Sequence, residues 1–304
     1  MLKKVLLFSC FIIVIPYLIV TIFIKNEEIT FNFSQNSVVR VYSEEDNLIT
    51  NIPIEEYVVG VVSGEMPISF ELEALKAQAV AARSYVMIQM QRNINKEYDV
   101  VDTVKNQVYL PKEKLIKAWK DSYTDNINKV KTAVLETKGE YISYNNKVAE
   151  AMFFSTSPGA TENSEDIFPN KVEYLRSVES PWDSISPVYE SNRTFSLKEF
   201  YDLLNLKYSE SLSIEIIDTT HTGRIKKIKI NNKTFTGKEM CSKLKLKSTF
   251  FNIIKEDNKV IIKNKGYGHG VGMSQYGAEG MARDGYNYED ILKYYYTGIE
   301  IKKF

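Results

Sequence analysis

Residues 5–24, VLLFSCFIIVIPYLIVTIFI, form an apolar run of twenty residues without a single charge. As a helix it would rise roughly 30 Å, enough to cross the hydrocarbon core of a bilayer. A secretory signal peptide has a shorter apolar core, about 7–15 residues, and ends at a small-residue cleavage site. Here the run is longer, and the polar stretch Lys-Asn-Glu-Glu follows it. The expectation is an uncleaved single-pass anchor. Lys3 and Lys4 precede it, so the positive-inside rule puts residues 1–4 in the cytoplasm. Residues 25–34 then read as a stalk, and 35–304 as one extracytoplasmic domain.

With 39 Lys+Arg against 39 Asp+Glu and 44% hydrophobic residues, the chain is charge-balanced and apolar enough to fold. It carries no net basic field of the kind nucleic acid requires. Cys10 lies in the apolar run and Cys241 in the exported part, so no disulfide joins them and the fold must hold by its core.

The stalk leads into a first strand by residue 50, since ITFNFSQNSVVRVYS, residues 29–43, mixes alternation with polar residues. Pro53 suits the first turn of a helix through IEEYVVGVVSGEM, and Pro67 forces its end. In SFELEALKAQAVAARSYVMIQM the residues Leu72, Leu75, Ala79, Ala82, Val86 and Met90 recur at helical spacing, with Ser69 as N-cap. Lys76 and Arg83, seven apart, fall on one stripe beside that seam. Residues 112–137 read as helical, with Gly139 as the stop. YISYNNKVAEAMFF predicts two strands around an Asn-Asn turn, and SLSIEIIDTT and GRIKKIKIN alternate in the same way. A last helix, YEDILKYYYTG, is expected to end at Gly298. No sequence repeat or low-complexity tract stands out. The mixture predicts an α+β fold of helices and antiparallel strands around a substrate cleft, without long βαβ alternation.

Glu65 is the residue whose surroundings are hardest to reconcile with its charge. Held among Val61, Val62 and Met66, its carboxyl would be desolvated, and a raised pKa suits a general acid near neutral pH. A glutamate that caps or pairs at a helix end fits the same spacing, which leaves both roles open. Lys76 and Arg83 read either as ligands for an anionic or carbonyl-bearing substrate or as a solvated face. His221, in His-Thr-Gly, reads as a turn residue. His269 lies in GYGHGVG, where four glycines permit close approach of a ligand or another chain segment. No HExxH pair, GxSxG elbow or Walker-type loop is present.

Two long motifs, EEYVVGVVSGEMPISFELEALKAQAVAARSY and GYGHGVGMSQYGAEGMARDGYNYEDILKYYYTGIEI, resemble the stage II sporulation protein D family, which includes amidase-enhancer proteins. FFSTSPGATENSEDIF and EYLRSVESPWD between them do so as well, and the resemblance covers roughly residues 35–302. It implies a lytic transglycosylase that cuts the β-1,4 bond after N-acetylmuramic acid in peptidoglycan and leaves an anhydro sugar, without water and without a cofactor. Glu65 falls on the family's catalytic glutamate. Lys76 and Arg83 match basic residues of its cleft, Tyr174, Arg176 and Asp183 match the middle motif, and His269, Ser274, Gln275 and Tyr276 match the C-terminal one. Some relatives carry a His and a Cys that take part in binding zinc where this chain has Phe154 and Ser157, so no metal site is expected. His221 and Cys241 likewise lack a spaced set of metal-binding partners. The resemblance further implies glycan strands with stem peptides removed as substrate, action at the mother-cell membrane during forespore engulfment, and stage II sporulation proteins P and M as partners.

Overall fold

The computed structural model describes residue 28 and residues 37–304. The expected anchor over 5–24, most of the stalk and the strand before residue 37 lie outside them. Among the described residues no helix is long and apolar enough to cross a membrane.

The chain enters through an antiparallel hairpin, β1 (Val38–Ser43) and β2 (Leu48–Pro53), and passes directly into helix α1 (Ile54–Glu65). Glu55 and Glu56 sit in its first turn, where the helix dipole favours acids. Met66 is extended and Pro67 follows, so the helix stops where the proline demands. Helix α2 (Leu72–Arg92) is the centre of the body: Ala74, Ala77, Ala79, Ala81 and Ala82 are all fully buried. Small side chains on several faces let neighbours approach from all sides, so this helix has no solvated stripe. Ser69 does not cap it. The backbone N–H of Glu71 donates instead to the buried Glu279 carboxylate, 208 residues away, at 2.6 Å.

Strand β3 (Val100–Val101) joins β1 in parallel. The helix expected over 112–137 is two, α3 (Lys112–Trp119) and α4 (Tyr123–Glu136), broken at Lys120, whose φ is +48°. Hairpin β4 (Glu140–Tyr144) and β5 (Lys147–Val148) turns on Asn145 and Asn146, both at positive φ, as a tight primed turn requires. Phe153–Phe154 is not part of it; it forms β6 in another sheet. A short helix, α5 (Ser164–Ile167), follows.

Residues 190–265 form an inserted unit with its own core, and the expected absence of a repeat is corrected here. Strand β7 (Glu190–Ser196), helix α6 (Leu197–Leu204) and strand β8 (Ile214–Thr219) are followed by β9 (Ile225–Ile230). The pattern then recurs as β10 (Lys233–Thr236), α7 (Gly237–Leu244), β11 (Phe251–Glu256) and β12 (Lys259–Lys265). Thr-Phe-Ser-Leu-Lys-Glu at 194–199 and Thr-Phe-Thr-Gly-Lys-Glu at 234–239 start the two helices, and Asn205 and Lys245 end them in left-handed conformation. The sheets run β10-β9-β8 and β11-β12-β7, so exchanging the two halves carries one sheet onto the other. Phe195, Phe200, Phe235, Met240 and their neighbours fill the core between them. Short strands and divergent residues between the helix starts hide this repeat from a reading by composition.

The chain then returns to the body through β13 (Met273–Ser274), parallel to β6, helices α8 (Gln275–Arg283) and α9 (Tyr288–Tyr295), and β14 (Glu300–Lys303) beside β4. Helix α9 ends at Tyr295, earlier than the expected Gly298, because Tyr296 turns extended and buries its ring. The fold is thus α+β, with helices packed on small, mainly antiparallel sheets.

Candidate active site

Glu65 is the last residue of α1, half-buried. Its Oε1 accepts the backbone N–H of Val108 at 2.7 Å, and its Oε2 accepts the Gln275 side-chain amide at 3.3 Å. Burial raises the carboxyl above its ordinary pKa, and these two donors, which favour the charged form, hold the rise back. Among the described residues no lysine or arginine pairs with it. The group is set up to carry a proton and to tolerate losing it.

Gly60 and Gly64 make that geometry possible, a role the sequence reading missed. They lie four apart on one face of α1, and the 102–111 loop presses onto that face. A Cβ on Gly64 would sit 2.6 Å from the Val108 carbonyl oxygen, and one on Gly60 2.3 Å from the Tyr109 ring. The loop is pinned further by Leu110 N–H to Gly60 O at 3.2 Å and by the Tyr57 hydroxyl to Gln107 at 3.1 Å. Bare helix surface is therefore what brings the Val108 amide to Glu65. The i, i+4 glycine spacing was the available signal.

Gln275 reaches Glu65 from the start of α8, whose N-cap is Ser274. The Ser274 hydroxyl is fully buried and hydrogen-bonded to Asp183. Asp183 also accepts the Ser157 amide at 2.7 Å and the Ser180 hydroxyl. Burial pushes its pKa up to about 6. Asp183, Ser274 and Gln275 thus form a chain of support that ends on the Glu65 carboxylate. Tyr276, next along, packs edge-on against Phe70 and donates its N–H to Ser155 O at 3.0 Å.

The remaining candidates stand elsewhere. Arg83 is corrected from a cleft ligand to an interior strut: it is fully buried, gripping Glu55 through two bonds of 2.9 and 2.6 Å and the Glu140 carbonyl at 2.9 Å. No face of it is left for a substrate. Lys76 is paired with Glu73 at 2.7 Å and Glu136 at 2.6 Å, and its ammonium lies 5.9 Å from the Tyr288 ring centre. The Tyr174 hydroxyl accepts the Glu150 amide at 2.7 Å, and Arg176 is held by Glu165 at 2.6 and 2.7 Å. His269 sits against the rings of Phe154 and Phe168, with Nδ1 accepting the Val271 amide at 3.0 Å; burial lowers its pKa to about 4, so it is neutral. Its flanking glycines admit other parts of the chain: a Cβ on Gly272 would meet Met152 O at 2.1 Å, and one on Gly270 the Arg224 guanidinium at 2.8 Å.

The Phe154 ring packs on His269, and Ser157 uses its amide on Asp183 and its hydroxyl to accept the Gly159 amide. The fold does give His221 the partners that its sequence spacing lacks: Glu162, Asp166 and His221 bring ligand-type atoms within 4.8 Å of one another. Lys226 already pairs with Asp166 at 2.6 Å and Arg224 with Glu162 at 3.3 Å, so cationic side chains occupy that cluster. The Arg224–Glu162 pair is fully buried and ties the inserted unit to the body.

Comparison with known proteins gives the family. A family model described as Stage II sporulation protein matches residues 42–144, which include α1, Glu65 and the loop that holds it. The chain is 42% identical over 268 residues to stage II sporulation protein D of Bacillus subtilis (strain 168), covering 86% of this chain and 78% of the relative. To the protein of the same name from Bacillus amyloliquefaciens it is 42% identical over 284 residues, covering 92% and 82%. It is also 32% identical to an amidase enhancer of Bacillus subtilis, over 81% of this chain but 40% of that longer protein. Identity of this extent, over nearly all of the described chain, makes it a member of the stage II sporulation protein D family.

Proposed function

We propose that the protein is a membrane-anchored lytic transglycosylase of peptidoglycan, with Glu65 as its single acid and base. The observation that carries this reading is the Glu65 carboxyl itself, raised in pKa by burial and, among the described residues, bonded to the Val108 and Gln275 amides and to no cation. Hydrolytic glycosidases use two carboxyl groups, one as acid and one as nucleophile or base. Here one group serves twice. Protonated Glu65 gives its proton to the glycosidic oxygen as the bond from the muramic acid C1 breaks. The resulting carboxylate, steadied by both amides, takes the proton of the C6 hydroxyl, and O6 closes on C1 to form the anhydro ring. The substrate's acetamido group stabilises the charge that develops at C1.

The charge-free run over 5–24 supports an anchor with the domain outside the cytoplasm, at the mother-cell membrane. Kinship with sporulation proteins supports a role in engulfment on glycan freed of stem peptides, beside stage II sporulation proteins P and M. Tyr174, Arg176, Asp183, His269 and Ser274 serve as the frame of the site, Gln275 and Tyr276 as its face, and Lys76 as a ligand for the lactyl carboxylate when its pairs open.

Glu65→Gln protein, folded by circular dichroism, is expected to release anhydro-disaccharides from peptide-free peptidoglycan about 10²–10⁴-fold more slowly, the usual worth of a general acid. An unchanged rate sinks the mechanism. The amidase-enhancer relative favours a second reading, a glycan-binding module that stimulates a partner amidase and cleaves nothing. That reading requires that the wild-type domain yield no anhydro product while still raising amidase turnover.

A further inference from the structure

Glu28 is the one residue before position 37 that the structure describes, and its carboxylate lies between two lysines at the rim of a pocket on the body that Glu56 also lines. Oε2 accepts from Lys112 Nζ at 2.9 Å, and Oε1 from Lys131 Nζ at 2.8 Å and from the Tyr123 hydroxyl at 3.4 Å. These groups rim a cavity of about 270 Å³ whose wall includes Val59 and Gly60 of α1, Tyr109 of the loop, Leu115 of α3 and Ile127 of α4. The site is specific in shape: two ammonium groups and a phenol converge on one carboxylate above an apolar floor.

We propose that this cavity is a latch for the chain's own stalk carboxylate, and that docking Glu28 there fixes how the domain hangs from the membrane. The inference rests on the anchor reading given above. Lys25, Asn26 and Glu27 are the residues between Ile24, the end of the apolar run, and Glu28. At no more than about 3.6 Å per residue, the Cα of Glu28 stays within roughly 14 Å of that of Ile24. A latched Glu28 therefore brings α3 to the membrane side of the domain. That face is suited to the place: Lys112, Lys117 and Lys120 are exposed there beside the exposed Ile116, and anionic lipid attracts such lysines. The latch also sits behind the machinery, because Gly60 and Tyr109 line it while Gly64 and Val108, on the same helix and loop, hold Glu65.

A zero-length carbodiimide cross-link read by mass spectrometry tests the contact in the full-length chain in detergent. Glu28 is expected to join Lys112 or Lys131 at a yield within about threefold of the Lys76–Glu136 pair, which serves as internal standard at 2.6 Å. The latch is overturned if the standard forms and residue 28 does not couple to either lysine. The orientation is tested in phosphatidylglycerol vesicles with a spin label on Lys117→Cys, after Cys10 and Cys241 are changed to Ser. Broadening by a nickel-chelating lipid is expected to fall at least twofold when Glu28→Gln is added, and equal broadening overturns the orienting role. Neither readout uses catalysis, so an inactive but latched chain would count against the transglycosylase alone. Release of the chain by alkaline wash would count against the anchor, and with it against the orienting role.

Discussion

The body that carries Glu65 and the unit inserted at 190–265 are stabilised by opposite means. The inserted unit is regular: two copies of a strand, a capped helix and two further strands exchange their strands between two sheets around one apolar core. The body has an apolar core of its own around α2, but around Glu65 it is held by irregular chain and buried polar groups. Glu65 depends on a loop amide, Gln275 on a helix start, and that start on Asp183 with its serine partners. Regular pairing tolerates change one residue at a time, whereas the polar chain of the body links each group to the next. Substitutions in the body should therefore cost function, or the whole fold, sooner than equivalent ones in the unit.

The largest effect expected in the body is at Arg83. Removing one partner of a fully buried ion pair leaves the other uncompensated, at a cost of about 3–5 kcal/mol. Arg83→Ala should lower the urea midpoint accordingly, with Glu55 left without its guanidinium. Lys76→Met provides the contrast. Its partners Glu73 and Glu136 are partly exposed, so its loss should cost at most about 1 kcal/mol. If glycan binding still weakens in that variant, Lys76 meets substrate; if binding is unchanged, both basic residues are structural.

Next come the contacts around Glu65. Val108→Pro deletes the amide that bonds Oε1, a bond to a charged group worth about 1.5–3 kcal/mol. Spent on the transition to the carboxylate, that is about a 10–100-fold loss of rate. Gly64→Ala should act in the same direction by pushing the Val108 carbonyl away, without lowering stability in proportion. A loss of stability with unchanged activity per folded molecule would break the link between loop and acid. Gln275→Leu sharpens it through pH. In the proposed mechanism activity needs protonated Glu65, so it should fall as pH rises through the raised pKa. Losing a donor to the charged form raises that pKa further and moves the alkaline limb upward.

These sites also show what could be read from residues alone. The stop at Pro67, the Asn145–Asn146 turn and the α+β character followed from local rules, because a proline or a primed turn acts within a few residues. The break at Lys120 did not, since a lysine at positive φ has no local signature. Arg83 was misread because helical periodicity assigns faces but cannot foresee that an alanine-rich helix will be surrounded, or that Glu55, 28 residues earlier, will meet it. Glu65 and Gln275 are 210 residues apart, and only resemblance to a family placed them in one site.

Asp183 and His269 form an opposed pair in their pH dependence. Asp183 titrates near 6 in the fold against 3.8 ordinarily, so its contribution to stability is full below about pH 4 and lost as pH rises through 6. His269 is lowered to about 4 from 6.5, so its contribution is full above 6.5 and lost as pH falls through 4. Between those limits the two slopes nearly cancel in the wild type. Asp183→Asn should unmask the histidine, and stability should then drop by about 2 kcal/mol from pH 6.5 to pH 4. A profile parallel to wild type would show that one of the two groups is not held as described.

The smallest effects belong to the inserted unit, and they test its repeat. Ser196 and Thr236 cap α6 and α7, each accepting the amide of the glutamate three residues on, and Thr236 with Glu239 completes a reciprocal capping box. Ser196→Ala and Thr236→Ala should each cost about 1 kcal/mol, with Thr236 the costlier because its hydroxyl both accepts the Glu239 amide and donates to the Glu239 carboxylate. The helices touch each other across the unit's shared core, so the double variant can exceed the sum of the singles if the two halves fold as one body. Simple additivity would make them independent modules. In either case anhydro-product release per folded molecule should stay at the wild-type level, because the unit meets the body through pairs such as Arg224–Glu162 and Lys226–Asp166 and through Lys238 on the Ile167 carbonyl rather than through the Ser196 and Thr236 side chains. A cap variant that slowed catalysis without unfolding would mean that the regular unit also positions Glu65, and the division between support and chemistry would have to be drawn elsewhere.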